Sequence, residues 1–191
     1  MRAAFAIAIT LLLAGCGAST ATRFWTIEPV APPSPPAAAG RAIVPVRVGA
    51  VHVPLAIDRL EIVRHDAENR VAVDDFDRWS APPGDLIRAT LTQDLVGRLP
   101  AGAVLFPDDA APATRTIVVD VLDLRPSATG FAMDVSWSAT AEGAAGRPLL
   151  RRQLHLETPA TARDAGAQVV ALGQLTGQLA DSIAEAVRAG R

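Results

Sequence analysis

The chain has 191 residues, half of them hydrophobic, which is enough for one domain with an ordinary core. Its formal charge of −2 offers no attraction to a polyanion, so a nucleic-acid partner is excluded on charge grounds. Cys16 is the one cysteine, which excludes an internal disulfide and any cysteine-based zinc or iron–sulfur site.

The first residues are typical of a secretory signal. Arg2 supplies a positive start, and residues 3–13 are apolar apart from Thr10. This stretch is too short to span a bilayer, which takes about 20 apolar residues. We therefore predict that residues 1–15 are a signal peptide.

The signal ends in a motif that resembles the bacterial lipobox, in which a branched apolar residue and two small residues precede a cysteine. Its members here are Leu13, Ala14, Gly15 and Cys16. The resemblance implies that the Cys16 thiol takes a diacylglycerol and that the new amino terminus is acylated after cleavage. Stable anchoring takes more than one acyl chain, so two or three chains on Cys16 would hold the protein on a membrane. The alternative is a buried cysteine beside an ordinary cleavage site.

The residue after the cysteine bears on which membrane holds the anchor. In the familiar sorting pattern an aspartate at this position retains a lipoprotein in the inner membrane, and this chain has Gly17 instead. We therefore predict the outer membrane, facing the periplasm, with the inner membrane as the alternative.

The mature chain divides into two predicted parts. Residues 16–41 contain a short aromatic strand at residues 24–27 and a linker rich in proline and alanine at residues 29–40. Such a linker is expected to be extended rather than packed. Residues 42–191 form a single domain.

The domain carries further strand patterns, rich in β-branched residues or alternating in hydrophobicity. They cover residues 42–53, 58–64, 70–73, 104–106, 115–124, 131–139 and 148–158. Residues 66–69 are polar and suit a hairpin turn.

A first helix is predicted to start near Ser80 to Pro82, with Ser80 as its cap, and to run to Leu99. The last helix covers about residues 163–189, where Thr161 and Asp164 resemble a capping box. The order of strands, helix, strands and helix predicts an α+β fold, with a mixed or antiparallel sheet and two helices packed on one face.

The sequence contains no recognisable catalytic constellation. His52, His65 and His155 are isolated, and no nucleophile elbow or phosphate-binding loop occurs. The densest acidic cluster, residues 74–77, lacks the spacing of a calcium loop and is better explained as a solvated segment leading to Trp79. We predict no catalytic residue, no metal and no cofactor, and therefore a protein that is not an enzyme.

Gly173 and Gly177 lie four positions apart within the predicted last helix. This spacing lets another backbone approach closely, at a cost of about 1 kcal/mol per glycine in helix propensity. We interpret the pair as a packing accommodation. The alternative is a contact with another helix or with a second subunit, which would make the protein a homo-oligomer.

Several features together resemble the ABC-type transport auxiliary lipoproteins, the PqiC/YmbA family, over essentially the whole mature chain. They include the early aromatic strand and the stretch that feeds the first helix, together with the strands around residues 118–121 and Trp137 and the long last helix. The residues that carry the family motif are Trp25, Phe76, Trp79, Pro82, Leu86, Leu91, Leu95, Leu99 and Pro100.

The resemblance implies a partner role rather than catalysis. Family members accompany an MCE-domain protein, an integral permease and an ATPase that move lipids or other hydrophobic molecules between the two membranes, and the lipoprotein docks the MCE assembly at the outer membrane. Two other functions stay open. One is an envelope lipoprotein that acts as a structural module for another partner, and the other is a periplasmic enzyme or direct lipid carrier.

Overall fold

The computed structural model describes residues 20–33, 43–67, 69–109, 111, 114–141 and 147–190. The predicted signal peptide, Cys16 and most of the predicted linker lie outside these residues. The described part contains seven strands and two helices. They are β1 (Arg23–Trp25), β2 (Val46–His52), β3 (Glu61–Ala67), β4 (Arg70–Trp79), α1 (Pro83–Arg98), β5 (Arg115–Pro126), β6 (Gly130–Ala141), β7 (Leu150–Pro159) and α2 (Ala165–Arg188).

The strands form two sheets, one with the order β1-β4-β3 and one with the order β2-β5-β6-β7. The β1–β4 and β2–β5 pairs are parallel and the others are antiparallel. The predicted α+β class, with strands, helix, strands and helix in that order, is confirmed. The strands divide between two sheets because β1 and β3 occupy both edges of β4, which leaves that strand no edge for β2 or β5.

Both helices pack against each other and against the four-stranded sheet, α1 beside β2 and α2 across β6 and β7. The core between them is apolar and fully buried, with Leu91 and Leu95 from α1 facing Leu175 and Leu179 from α2. Each such leucine contributes about 2 kcal/mol of stability through burial. Gln168 ties α2 to the three-stranded sheet, because its Nε2 donates to the Val63 carbonyl at 3.0 Å.

The helix starts differ from the predicted ones. Ser80 does not cap α1, because the N-cap position is two residues later, at Pro82, which has no side-chain acceptor. The Ser80 N–H instead donates to the Trp25 carbonyl at 2.8 Å. The capping box at Thr161 is also wrong. Asp164 is itself the N-cap of α2, and its side chain accepts from the Ala167 N–H at 2.8 Å.

Two strand predictions also change. The strand expected at residues 104–106 is reduced to a single bridge between Val46 and Val104. β4 extends to Trp79, so residues 74–77 belong to a strand, in which Asp75 and Phe76 are exposed and Asp77 is buried. Where the β3–β4 register shifts, Asp74 Oδ1 accepts the N–H groups of Phe76 and Asp77 at 3.2 and 3.1 Å.

Candidate functional site: attachment of the N-terminal segment

The described chain begins with a segment that is held in the body at two places. The first is β1, which lies parallel to β4 with Arg23 beside Asp77 and Trp25 beside Trp79. The second is the run of residues 26–33, which crosses α1 and α2 and which we call the N-terminal strap. Because any pull on the predicted anchor at Cys16 would reach the body through this segment, its attachment is the candidate functional site.

Asp77 fixes β1. Its carboxylate is 1% exposed and accepts hydrogen bonds from Arg23 Nε and from Trp25 Nε1, both at 2.7 Å. Arg23 Nη2 also donates to the second oxygen of Asp77. Burial raises the pKa of Asp77, but the hydrogen bonds from Arg23 and Trp25 outweigh burial and hold the pKa below its ordinary value.

A buried charged pair on α1 fixes the strap. Asp94 Oδ1 accepts the Val30 N–H at 2.8 Å, and Arg98 Nη1 donates to the Val30 carbonyl at 2.9 Å. Arg98 also contacts Asp94 Oδ1 at 3.2 Å and donates from Nε to Asp181 of α2 at 2.7 Å. The backbone N–H and C=O of Val30 thus bond to side chains of one helix, and not to a neighbouring strand.

Asp94 is destabilised in its charged form. Desolvation raises the pKa of the Asp94 carboxyl above its ordinary value, and the hydrogen bond from Val30 and the charge of Arg98 do not fully offset this. Its second oxygen, Oδ2, is buried without a hydrogen-bond partner. An unpaired buried oxygen lowers the stability of the folded state. The contact formed by Asp94, Arg98 and Val30, which we call the latch, therefore combines specific hydrogen bonds with a local loss of stability.

The glycine pair of α2 lies directly under the strap. A Cβ on Gly173 would be 3.0 Å from the Glu28 carbonyl oxygen, and one on Gly177 would be 3.1 Å from the Val30 Cβ. Residues 28–30 of the same chain thus make the nearest approach to these glycines, and Arg98 of α1 lies 3.4 Å from the same Cβ position on Gly177. Here the structure differs from the expectation of an unpacked linker from residue 29 onward.

Most residues of the family motif belong to the core. Trp79, Leu91, Leu95 and Leu99 are buried. Leu86 and Trp25 are half-buried and pack against the same core. Pro82 is exposed, Pro100 is half-buried and both flank α1. Phe76 is the exception, since it lies in β4 with 40% of its surface exposed.

Sequence reasoning missed Asp77, Asp94 and Arg98. A charged pair four positions apart on a helix is usually an exposed surface pair. The signal that could have identified this one is the spacing of Thr90, Asp94 and Arg98, which follows the same period as the buried leucines of α1. All three are buried, and Thr90 Oγ1 donates to the Ile27 carbonyl at 3.1 Å.

A second polar cluster lies on the outer face of the four-stranded sheet. His155 Nδ1 and Asp134 Oδ1 are 2.6 Å apart, and Arg125 Nη1 donates to Asp134 at 2.8 Å. The hydrogen bonds with Asp134 and then Glu157 raise the pKa of His155. No nucleophile accompanies this pair among its hydrogen-bond partners, and nowhere in the described residues do three or more metal-ligating side chains group as a cation site would require.

Three cavities lie among the described residues. An apolar groove of about 420 Å³ opens between the end of β7 and the start of α2, beside Pro159 and Val170. A polar cleft of about 290 Å³ lies at Arg23, Asp77 and Asp164. In the core, the void beside Trp79 and Leu172 measures only about 10 Å³.

The comparison with protein families decides the family. The model of the ABC-type transport auxiliary lipoprotein component matches residues 25–184. The chain belongs to this family. The resemblance inferred from the motif residues is thereby confirmed, and the family is one of transport components rather than of enzymes. No curated protein matches the sequence.

Solved structures share the fold of this family member at low identity. A crystal structure of an uncharacterised protein is 17% identical, with a TM-score of 0.65 over 86% of this chain and 97% of its own. A DUF330 protein from Xanthomonas campestris is 16% identical, with a TM-score of 0.64 over 88% and 96%. At this identity the likeness concerns the fold alone. Among the described residues no helix is both long and apolar enough to cross a membrane.

Proposed function

We propose that the chain is the non-catalytic, lipid-anchored subunit of an ABC-type transport system that works with an MCE-domain protein. In this proposal it is held at the outer membrane by acyl chains on Cys16, faces the periplasm and docks the MCE assembly that carries lipids or other hydrophobic molecules. The observation that carries the proposal is the match to the transport auxiliary lipoprotein family over residues 25–184. The lipobox-like sequence that ends at Cys16 supports the anchor.

The attachment of the N-terminal segment supports a docking role. Cys16 precedes Arg23 by seven positions, so the anchor reaches at most about 25 Å from β1. From there the Arg23–Asp77 ion pair passes any force to β4, and the Val30–Asp94 hydrogen bond passes it to α1. A partner bound to the body would thus be held at a limited distance from the membrane.

The direct-carrier alternative is less well supported. A carrier needs an enclosed apolar cavity for acyl chains, and the void beside Trp79 in the core is only about 10 Å³. The larger groove beside Val170 is open to solvent. The enzyme alternative requires catalytic side chains that the sequence does not suggest, and a structural module for another envelope partner remains the main competitor.

Cross-linking in the native host, followed by mass spectrometry, tests the function. We expect the wild-type chain to be linked to an ABC permease, its ATPase or an MCE-domain protein. Cys16→Ser, exported with a cleavable signal that needs no cysteine, should lose these partners, whereas Ser19→Ala should keep them. Recovery of a cell-wall enzyme without transport components would favour the structural module, and recovery of neither would contradict the proposal.

A substitution after the anchor tests the membrane assignment. Gly17→Asp should move the protein from outer-membrane to inner-membrane fractions, because aspartate at this position is the retention signal in the familiar pattern. Ser19→Asp introduces the same charge two positions later and should leave the distribution unchanged. An unaltered distribution of Gly17→Asp would count against sorting by this rule.

A further inference from the structure

The outer face of the three-stranded sheet exposes four large apolar side chains. Phe24 of β1 is 68% exposed, and the side chains of Val71, Val73 and Phe76 on β4 are 40% exposed or more. The β3–β4 register shifts between Val73 and Arg78, so Asp77 and Trp79 lie on the opposite face and are buried. We call the surface formed by Phe24, Val71, Val73 and Phe76 the apolar face.

The outer face of the four-stranded sheet gives a comparison within the same domain. Its outer face carries ion pairs, among them His52 with Asp120 and His155 with Asp134. A sheet with one solvated face normally places polar side chains outward. On the three-stranded sheet the Glu61–Arg78 ion pair shares the outer face with four exposed apolar side chains. Exposed apolar patches are typical of interaction sites.

The apolar face lies where the predicted anchor leaves the body. Because β1 is parallel to β4 and Arg23 pairs with Asp77, the chain that precedes Arg23 is directed toward the end of β4 that contains Val71 and Val73. Seven extended residues span at most about 25 Å, and β4 from Arg70 to Asp77 spans about 23 Å. Cys16 can therefore reach any point along the apolar face.

The charges around the apolar face are of both signs, with arginine in excess. Arg78 of β4 pairs with Glu61 of β3 at 2.9 Å, and Arg59 pairs with the same carboxylate at 3.0 Å. Arg70 and Asp75 also lie on β4. Arginines beside exposed aromatic and aliphatic side chains suit the headgroup region of a bilayer, where apolar side chains enter the boundary with the acyl chains.

We propose that the apolar face rests on the bilayer to which Cys16 is tethered, so that the three-stranded sheet faces the lipid and the four-stranded sheet and both helices face away. This inference rests on the proposed function, which supplies the acyl anchor. It adds an orientation that leaves α1, α2 and the outer face of the four-stranded sheet open to a partner.

Fluorescence quenching by brominated lipid tests the orientation. When Cys16 is acylated its sulfur cannot react, so a single introduced cysteine can carry a bimane label. The full chain, with Val73→Cys or Phe76→Cys, is reconstituted into vesicles of phosphatidylethanolamine and phosphatidylglycerol that contain brominated lipid. Val96→Cys on α1 and Leu122→Cys on β5 are matched controls, since both side chains are about as exposed.

We expect the labels at positions 73 and 76 to lose fluorescence and those at positions 96 and 122 to keep it. If the protein binds the vesicles but the labels at positions 73 and 76 are not quenched, the proposed orientation is wrong and the proposed acyl anchor is still supported. Shielding of these labels by an added envelope protein, and not by lipid, would overturn it in favour of a protein interface. Protein that does not float with the vesicles would overturn the anchor and the orientation together.

Discussion

Asp94 on the first helix accepts a hydrogen bond from the backbone N–H of Val30, a residue 64 positions earlier in the chain. The same carboxylate contacts Arg98, which donates to the carbonyl of Val30. One helix thus satisfies both backbone groups of a single strap residue. The N-terminal strap is therefore part of the folded body, although it follows the predicted anchor closely.

Removal of the Asp94 carboxylate should be strongly destabilising. Asp94→Ala leaves Arg98 buried with only the partly exposed Asp181 as a charged partner, and breaking a buried pair in this way costs about 3 kcal/mol. Urea unfolding measures the loss. Asp85→Ala, which removes an exposed partner of Arg88, is the control and should change the free energy of unfolding by less than about 1 kcal/mol. Equal effects of the two substitutions would contradict the latch.

The pH dependence of stability should have opposite signs for Asp94 and Asp77. The pKa of Asp94 is raised in the folded state, so the folded state binds the Asp94 proton more tightly than the unfolded state does. The wild type should therefore lose stability, relative to Asp94→Asn, as pH rises above about 4. The folded pKa of Asp77 is lowered, so its contribution is present above about pH 4 and is lost as pH falls through the folded pKa. Urea unfolding between about pH 3 and about pH 7 would show both slopes, and slopes of the same sign would refute the assignment.

Removal of the Asp77 carboxylate should release β1 without unfolding the domain. Asp77→Ala removes the acceptor for Arg23 and for the Trp25 indole. The Ser80 N–H, which donates to the Trp25 carbonyl, should then exchange with solvent much faster. Hydrogen exchange followed by mass spectrometry reports this, with the buried strand β6 as the internal reference. Unchanged protection at Ser80 would mean that backbone pairing alone holds β1.

Substitutions at two helix glycines should change the stability of the protein in opposite directions. Gly173→Val would push its side chain into the Glu28 carbonyl and should destabilise the protein by about 2 kcal/mol. Gly97→Ala adds a Cβ in ordinary contact with Pro32 at 3.7 Å and should stabilise α1 by up to about 1 kcal/mol. Thermal unfolding compares them. A neutral Gly173→Val would show that the strap moves away at little cost.

The sequence predicted the α+β class and the buried leucines of α1 because both follow from periodicity. Leu91, Leu95 and Leu99 repeat every four residues, and all three are buried. It did not predict Asp94 and Arg98 as interior residues. The spacing of Asp94 and Arg98 can indicate their burial, but it does not identify Val30, 64 positions before Asp94, as their partner.

The β4 strand was harder because its pattern is inverted. The acidic cluster at residues 74–77 favours a solvated segment, whereas in the structure Asp77 is buried and Val71, Val73 and Phe76 are exposed. The burial of Asp77 depends on Arg23 and Trp25, which reach it only after β1 has paired with β4. Periodicity cannot indicate this reversal, because it assumes that apolar side chains face the core.

The most direct measurement is the mass of the tryptic peptide from Cys16 to Arg23, taken from protein extracted from membranes of the native host. If the account is correct, this peptide begins at Cys16 and carries the added mass of a diacylglyceryl group, with or without a further acyl chain on its amino terminus. An unmodified Cys16, or a mature chain that begins elsewhere, would contradict it.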